Sequence, residues 1–113
     1  MSKTKSDIVA GLGGDRELYS GLIRLHILHH AAEERIFGLG MVEELARHGY
    51  RISPGTLYPL LHGLERKGYL RSSEKRLGKT SRREYQATAL GKKALNGARN
   101  KLRELFGELI EGK

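Results

Sequence analysis

Ser53-Pro54-Gly55-Thr56-Leu57-Tyr58-Pro59-Leu60-Leu61-His62-Gly63-Leu64-Glu65-Arg66-Lys67-Gly68-Tyr69-Leu70 reads as a helix with marked ends, followed by the start of a strand. Ser53 is a good cap, and Pro54 suits the first helical position, where its missing N–H has no intrahelical partner anyway. The helix runs to about Lys67 and stops at Gly68. Leu57, Leu60, Leu61 and Leu64 fall on one stripe at 100° per residue. The opposite face then presents Gly55, Pro59, His62 and Arg66, flanked by Tyr58 and Gly63. Pro59 lies inside the helix and removes one backbone hydrogen bond.

Upstream, three- and four-residue spacings of Leu18, Leu22, Leu25, Leu28 and Ala32, with Ile23 and Ile27 beside them, predict a first helix over about 16–34. Asp15 is placed to cap it. Ile36-Phe37-Gly38-Leu39-Gly40 breaks it. A second helix at about 40–48 buries Val42, Leu45 and Ala46 and ends at Gly49. The turn Gly49-Tyr50-Arg51-Ile52 leads into the third.

Downstream, Tyr69, Leu70 and Ser72 begin a strand. Gly78-Lys79-Thr80-Ser81 forms a polar tip, and Arg83-Glu84-Tyr85-Gln86-Ala87 returns antiparallel with Tyr85 in the core. Thr88 caps a last helix over about 89–111. Residues 1–14, with Gly11, Gly13 and Gly14, read as a flexible arm, or at most a short helix at Asp7–Leu12. The order of elements predicts an α+β, mainly α, winged helix-turn-helix: a reading domain over 15–88 with a two-stranded wing, and a long C-terminal dimerisation helix over 89–113.

Charge is unevenly placed. The net charge is +8, yet residues 51–103 hold 14 of the 21 lysines and arginines and three of the 13 acids, a window of +11. The first fifty residues are close to neutral. A polyanionic partner fits this balance. Small residues at the start of the third helix let a duplex backbone approach, and its free N–H groups favour a phosphate. Ser53 and Thr56 can add hydroxyl contacts, as can Tyr58, while His62 and Arg66 can reach base edges in a major groove. The hairpin adds Arg71, Lys75, Arg76, Lys79, Arg82 and Arg83. Of these, Lys75, Arg76, Lys79 and Arg82 are the expected phosphate contacts.

The run Ser53-Pro54-Gly55-Thr56-Leu57-Tyr58-Pro59-Leu60-Leu61, then Leu64-Glu65, Gly68-Tyr69-Leu70, Tyr85 and Thr88-Ala89-Leu90-Gly91, resembles the signature of the PadR family over about residues 18–95. Gly40-Met41 stands where that family often has Gly-Tyr, and a single C-terminal helix resembles its short branch. The resemblance implies a homodimeric repressor that binds a pseudo-palindromic operator through the third helix and the wing.

The last helix supports pairing on its own terms. Gly91, Leu95, Ala98, Leu102, Leu105 and Leu109 alternate spacings of four and three, a heptad seam that Phe106 and Ile110 widen. With Leu18, Leu22 and Leu25 of the first helix, they are expected to meet their symmetry mates in a two-fold dimer. Packing of the last helix on the first helix of the same chain is the alternative. A dimer would set two reading helices about 34 Å apart, one turn of DNA.

His26, His30 and Glu33 share a face of the first helix and are candidate metal ligands. The preferred reading of these histidines is a dimer interface or surface, with no metal and no cofactor. The chain has no cysteine, which excludes disulfides, thiolate metal sites and cysteine catalysis. It has no nucleophilic triad, nucleotide loop or paired-carboxylate motif, so an enzyme is not expected. The expected partner is a double-stranded DNA operator. Any small-molecule effector is unknown, no membrane is expected, and the location is the cytoplasm, at the nucleoid when DNA is bound. A winged-helix adaptor for a protein or RNA is the competing function.

Overall fold

The computed structural model describes residues 12–113, with side chains from Asp15 onward. The elements are α1 (Leu12–Glu33), β1 (Ile36–Phe37), α2 (Gly38–Arg47), α3 (Pro54–Arg66), β2 (Leu70–Leu77), β3 (Thr80–Ala87) and α4 (Ala89–Leu109). The arm expected over residues 1–14 lies outside the described residues as far as residue 11. Leu12–Gly14 are already helical. Asp15 is therefore not the cap of α1 but an acid in its first turn, where it faces the positive end of the helix dipole.

The expected break at Ile36-Phe37 is a strand. Ile36 pairs with Tyr85 and Phe37 with Glu84, both antiparallel. The sheet consequently has three strands in the order β1-β3-β2, not the two of a bare wing. Ile36 is buried, so this short strand ties the wing's root to the core. An isolated two-stranded ribbon would have only marginal stability.

α2 and α3 end alike. The N–H groups of Gly49 and Tyr50 bond the carbonyls of Ala46 and Leu45, and those of Gly68 and Tyr69 bond Glu65 and Leu64. Each is a Schellman ending with a left-handed glycine, Gly49 at φ 90° and Gly68 at φ 84°. At the wing tip Leu77 pairs with Thr80. Gly78 alone of the two loop residues has positive φ, which fits a type II′ hairpin turn.

One core joins all the helices to the sheet. Ile23, Ile27, Leu28 and Ala31 of α1 meet Met41 and Leu45 of α2, Leu57, Leu61 and Leu64 of α3, and Leu70, Tyr85 and Ala87 of the sheet. Leu60, Val42 and Ala46, expected inside, are half-buried; on α2 the inward stripe is Gly38, Met41 and Leu45, spaced three and four apart. Leu95 is a correction to the expected dimer seam: it is 7% exposed and belongs to this core. The first half of α4 thus packs on α1 of its own chain, as the alternative reading held.

α4 begins against the backbone of the α3–β2 junction. Thr88 donates its N–H to Tyr69 O and accepts at its hydroxyl from Gly91 N, at 3.0 Å each. A Cβ at Gly91 would overlap the carbonyl oxygen of Tyr69, whereas one at Gly97 would meet nothing within 4 Å. Alanine in a helix ordinarily gains about 1 kcal/mol over glycine. Gly97→Ala is expected to raise the unfolding free energy by roughly that amount, and Gly91→Ala to lower it by about 1–3 kcal/mol. Urea unfolding of both variants checks the opposite signs.

Candidate nucleic-acid interface

Burial of Leu57, Leu61 and Leu64 fixes how α3 is turned. Gly55, Tyr58, Pro59, His62 and Arg66 are all exposed, as are Ser53 and Pro54, and Thr56 is half-buried. The structure therefore brings the expected reading residues onto one free face. Ser53 caps α3, its Oγ accepting from Thr56 N at 3.2 Å. Pro59 has no N–H to give the carbonyl of Gly55, one turn earlier. Tyr58 and His62 lie side by side with ring centroids 6.2 Å apart. The Tyr58 hydroxyl rests on the first residue of α2, where a Cβ at Gly38 would collide with it. Tyr58 is thus both part of the free face and a brace between α2 and α3.

Arg16 belongs to this face and was missed in the sequence. Its Nη1 donates to Thr56 Oγ1 at 3.1 Å, placing a guanidinium of α1 at the N-terminal end of α3. The signal was weak: a lone arginine in a near-neutral segment, far along the chain from the basic window.

The wing separates its cations into two kinds. Lys75, Arg76 and Lys79 are exposed along the outer ribbon and its tip. Arg82 is placed differently from the simple phosphate contact expected of it. Its Nε and Nη2 donate to Glu84 Oε2 at 3.1 and 3.0 Å, and its guanidinium carbon lies 3.7 Å from the centre of the Phe37 ring. Glu84 is only 7% exposed, so Arg82 neutralises a buried carboxylate and stacks on β1. On the other face of the hairpin, Arg83 donates to Ser72 Oγ at 2.9 Å, and Ser72 donates to Glu65 Oε2 of α3 at 2.7 Å. This relay joins the wing to the end of the reading helix. Tyr85 is buried as expected, and burial pushes its phenol pKa up.

The remaining expected dimer residues stand in a different setting from Leu95. Leu18, Leu22, Leu102, Leu105, Phe106 and Leu109 are exposed, Leu18 and Leu109 by 73% and 72%, while Leu25 and Ala98 are half-buried. Leu22, Leu25, Leu95 and Leu102 line a groove between α1 and α4. Beside it, His26 and His30 share a face as expected. The third side chain that joins them is His48, beyond α2, and not Glu33. Burial, then the neighbouring His48, lowers the pKa of His26.

A capped third helix, preceded by α2 and a short turn and followed by a cationic hairpin, defines a winged helix-turn-helix. The model of the transcriptional regulator PadR-like family matches residues 27–97, and the chain belongs to that family. It is similar to the transcriptional regulator Rv3488 of Mycobacterium tuberculosis, with 48% identity over 97 residues, 86% of this chain and 91% of that protein. A PadR-family regulator from Eggerthella lenta superposes with a TM-score of 0.75 at 32% identity, covering 96% of each chain. A PadR-like regulator from Bacillus cereus shares the fold, with a TM-score of 0.70 at 22% identity, over 86% of this chain and 99% of that one. Membership makes this chain a transcriptional regulator, a role that implies DNA binding rather than catalysis.

The two kinds of wing cation are distinguishable by stability. Arg82→Ala strands the Glu84 carboxylate and is expected to cost on the order of 1 kcal/mol, allowing for the partial exposure of the pair. Lys79→Ala at the exposed tip should stay within about 0.5 kcal/mol of the parent. Denaturant unfolding without DNA separates them.

Proposed function

We propose that the protein is a homodimeric repressor that reads a pseudo-palindromic DNA operator. α3 enters the major groove, with His62 and Arg66 towards base edges. Ser53, Pro54, Gly55, Thr56, Tyr58 and Pro59 bring the helix start close to the phosphates. Lys75, Arg76 and Lys79 of the wing hold the flanking backbone, while Arg82 chiefly sets the wing's root. The carrying observation is the free face of α3 standing beside this exposed cationic ribbon. A helix fits a major groove, and an arginine there can pair with guanine through two hydrogen bonds.

Dimerisation is supported by the uncovered apolar surface. Among the described residues, Leu102, Leu105, Phe106, Leu109 and Ile110 are left 38–72% exposed in the protomer. Leu18 and Leu22 of α1 are exposed as well, and Leu22 and Leu102 line one groove between the two helices; exposed apolar surface of this kind marks an interface. A second copy supplies the matching surface, and its α3 the second reading head. Among the described residues no helix is long and apolar enough to cross a membrane. The proposed location is the cytoplasm, at the nucleoid on binding DNA.

Footprinting on genomic fragments should give two protected half-sites about one helical turn apart. Fluorescence anisotropy on that duplex should show affinity falling steeply with salt, and Lys79→Ala should flatten the log–log slope by about 1.8, roughly 0.9 for each of the two wings. Leu105→Asp, at a site exposed in the protomer, should yield a folded monomer by sedimentation that binds the full operator far more weakly. Absence of protection, with a stable RNA or protein complex instead, would replace the repressor with an adaptor. A Leu105→Asp protein that remains dimeric would remove the proposed interface.

A further inference from the structure

His26 and His30 lie one helical turn apart on α1. Glu44 and His48 lie one turn apart along α2 and its C-terminal cap. The fold turns these two pairs towards each other. The imidazole nitrogens that His26, His30 and His48 can offer all lie within 4.8 Å of one another. Glu44 Oε2 faces two of them, 3.4 Å from His30 Nε2 and 3.1 Å from His48 Nε2. The His26 and His48 rings are stacked at 4.8 Å. Three imidazoles thus converge from α1 and the end of α2, with a carboxylate oxygen beside two of them.

The neighbouring residues orient this set. Arg47 grips Glu44 through Oε1, leaving Oε2 directed at the imidazoles. That contact is the largest cause holding the Glu44 carboxyl below its usual range. A carboxylate fixed at one oxygen by an arginine presents the other as an anionic donor. Such outer contacts orient metal ligands in known centres.

We propose that His26, His30, Glu44 and His48 form a binding site for a divalent transition-metal ion that staples α1 to the end of α2. Zinc binds imidazole nitrogen at about 2.0–2.1 Å and carboxylate oxygen at about 2.0–2.2 Å, usually with four ligands. Two nitrogens on one tetrahedral ion of this kind are about 3.4 Å apart, so side-chain rotations must draw in the 4.8 Å spread. The ion would replace the polar contacts that Glu44 now makes to His30 and His48. With three nitrogens, one oxygen and no cysteine in the chain, the site suits zinc, cobalt or nickel rather than an ion requiring thiolate. The His48 side chain is 45% exposed and gives the ion a path from solvent.

The test uses the full chain, freed of metal with a chelator and then dialysed. Calorimetry with zinc alone should show one ion per chain with sub-micromolar affinity. Cobalt(II) should give the intense visible bands of a tetrahedral ion, and its paramagnetism should perturb the imidazole resonances of His26, His30 and His48 in the unsubstituted protein. His48→Gln and His26→Gln should each weaken zinc binding at least ~10-fold, whereas His62→Gln on α3 should leave it unchanged. Unfolding in chelator checks that the variants are folded. No saturable uptake at micromolar zinc would overturn the proposal. So would cobalt effects centred elsewhere, or a folded His48→Gln protein with parental affinity. None of these measurements involves DNA, so they stand or fall separately from the operator proposal.

Discussion

Leu57 and Leu61 of α3 are wholly withdrawn from water, with Leu64 nearly so. Fully burying such a side chain stabilises the fold by about 1.5–3 kcal/mol, and truncating one to alanine in a packed core costs about 2–5 kcal/mol. Turning α3 over would expose this stripe and bury Arg66 and His62 in its place. That penalty locks the rotation of the helix, and the rotation in turn fixes which residues face outwards. The outward face of α3 is thus a consequence of core packing. The two glycine-terminated Schellman endings fix where α2 and α3 stop, so the turn between them is set by backbone chemistry as well.

The wing relies on a second constraint, the burial of one carboxylate. Glu84 comes into the sheet opposite Phe37, where an unpaired charge would be expensive. Arg82 answers it and stacks on the same ring. Some of the positive charge that looked available to a partner is therefore structural. The cations free for a partner lie further out, towards a tip whose backbone is set by Gly78.

α4 has two halves with different obligations. Gly91 and Leu95 lie against the protomer's own backbone and core, while the part beyond Ala98 carries apolar residues out into solvent. A continuous heptad pattern spans both halves because each needs an apolar face. Periodicity records that a surface is covered without recording whether the cover is the same chain or another copy. Leu95 fits the heptad seam by spacing, yet the structure buries it in the core of its own protomer for this reason. The groove between α1 and α4 marks where the buried half of α4 gives way to the exposed one.

Local chemistry made most of the elements legible. Ser53-Pro54, Gly49, Gly68 and Thr88 act within a few residues of themselves, so the sequence alone determined where α2 and α3 stop and where α3 and α4 start, the outward face of α3, and the basic character of the segment that follows, whereas the starts of α1 and α2 differ from the expectation. The two-residue strand at Ile36-Phe37 was not legible, because it is too short to show alternation and exists only through pairing with β3. The partners of Arg82, the approach of Arg16 to Thr56, and the meeting of His48 and Glu44 with His26 and His30 were likewise decided by tertiary structure. Each of these contacts joins residues on different elements or depends on how those elements pack, and no local periodicity encodes that distance.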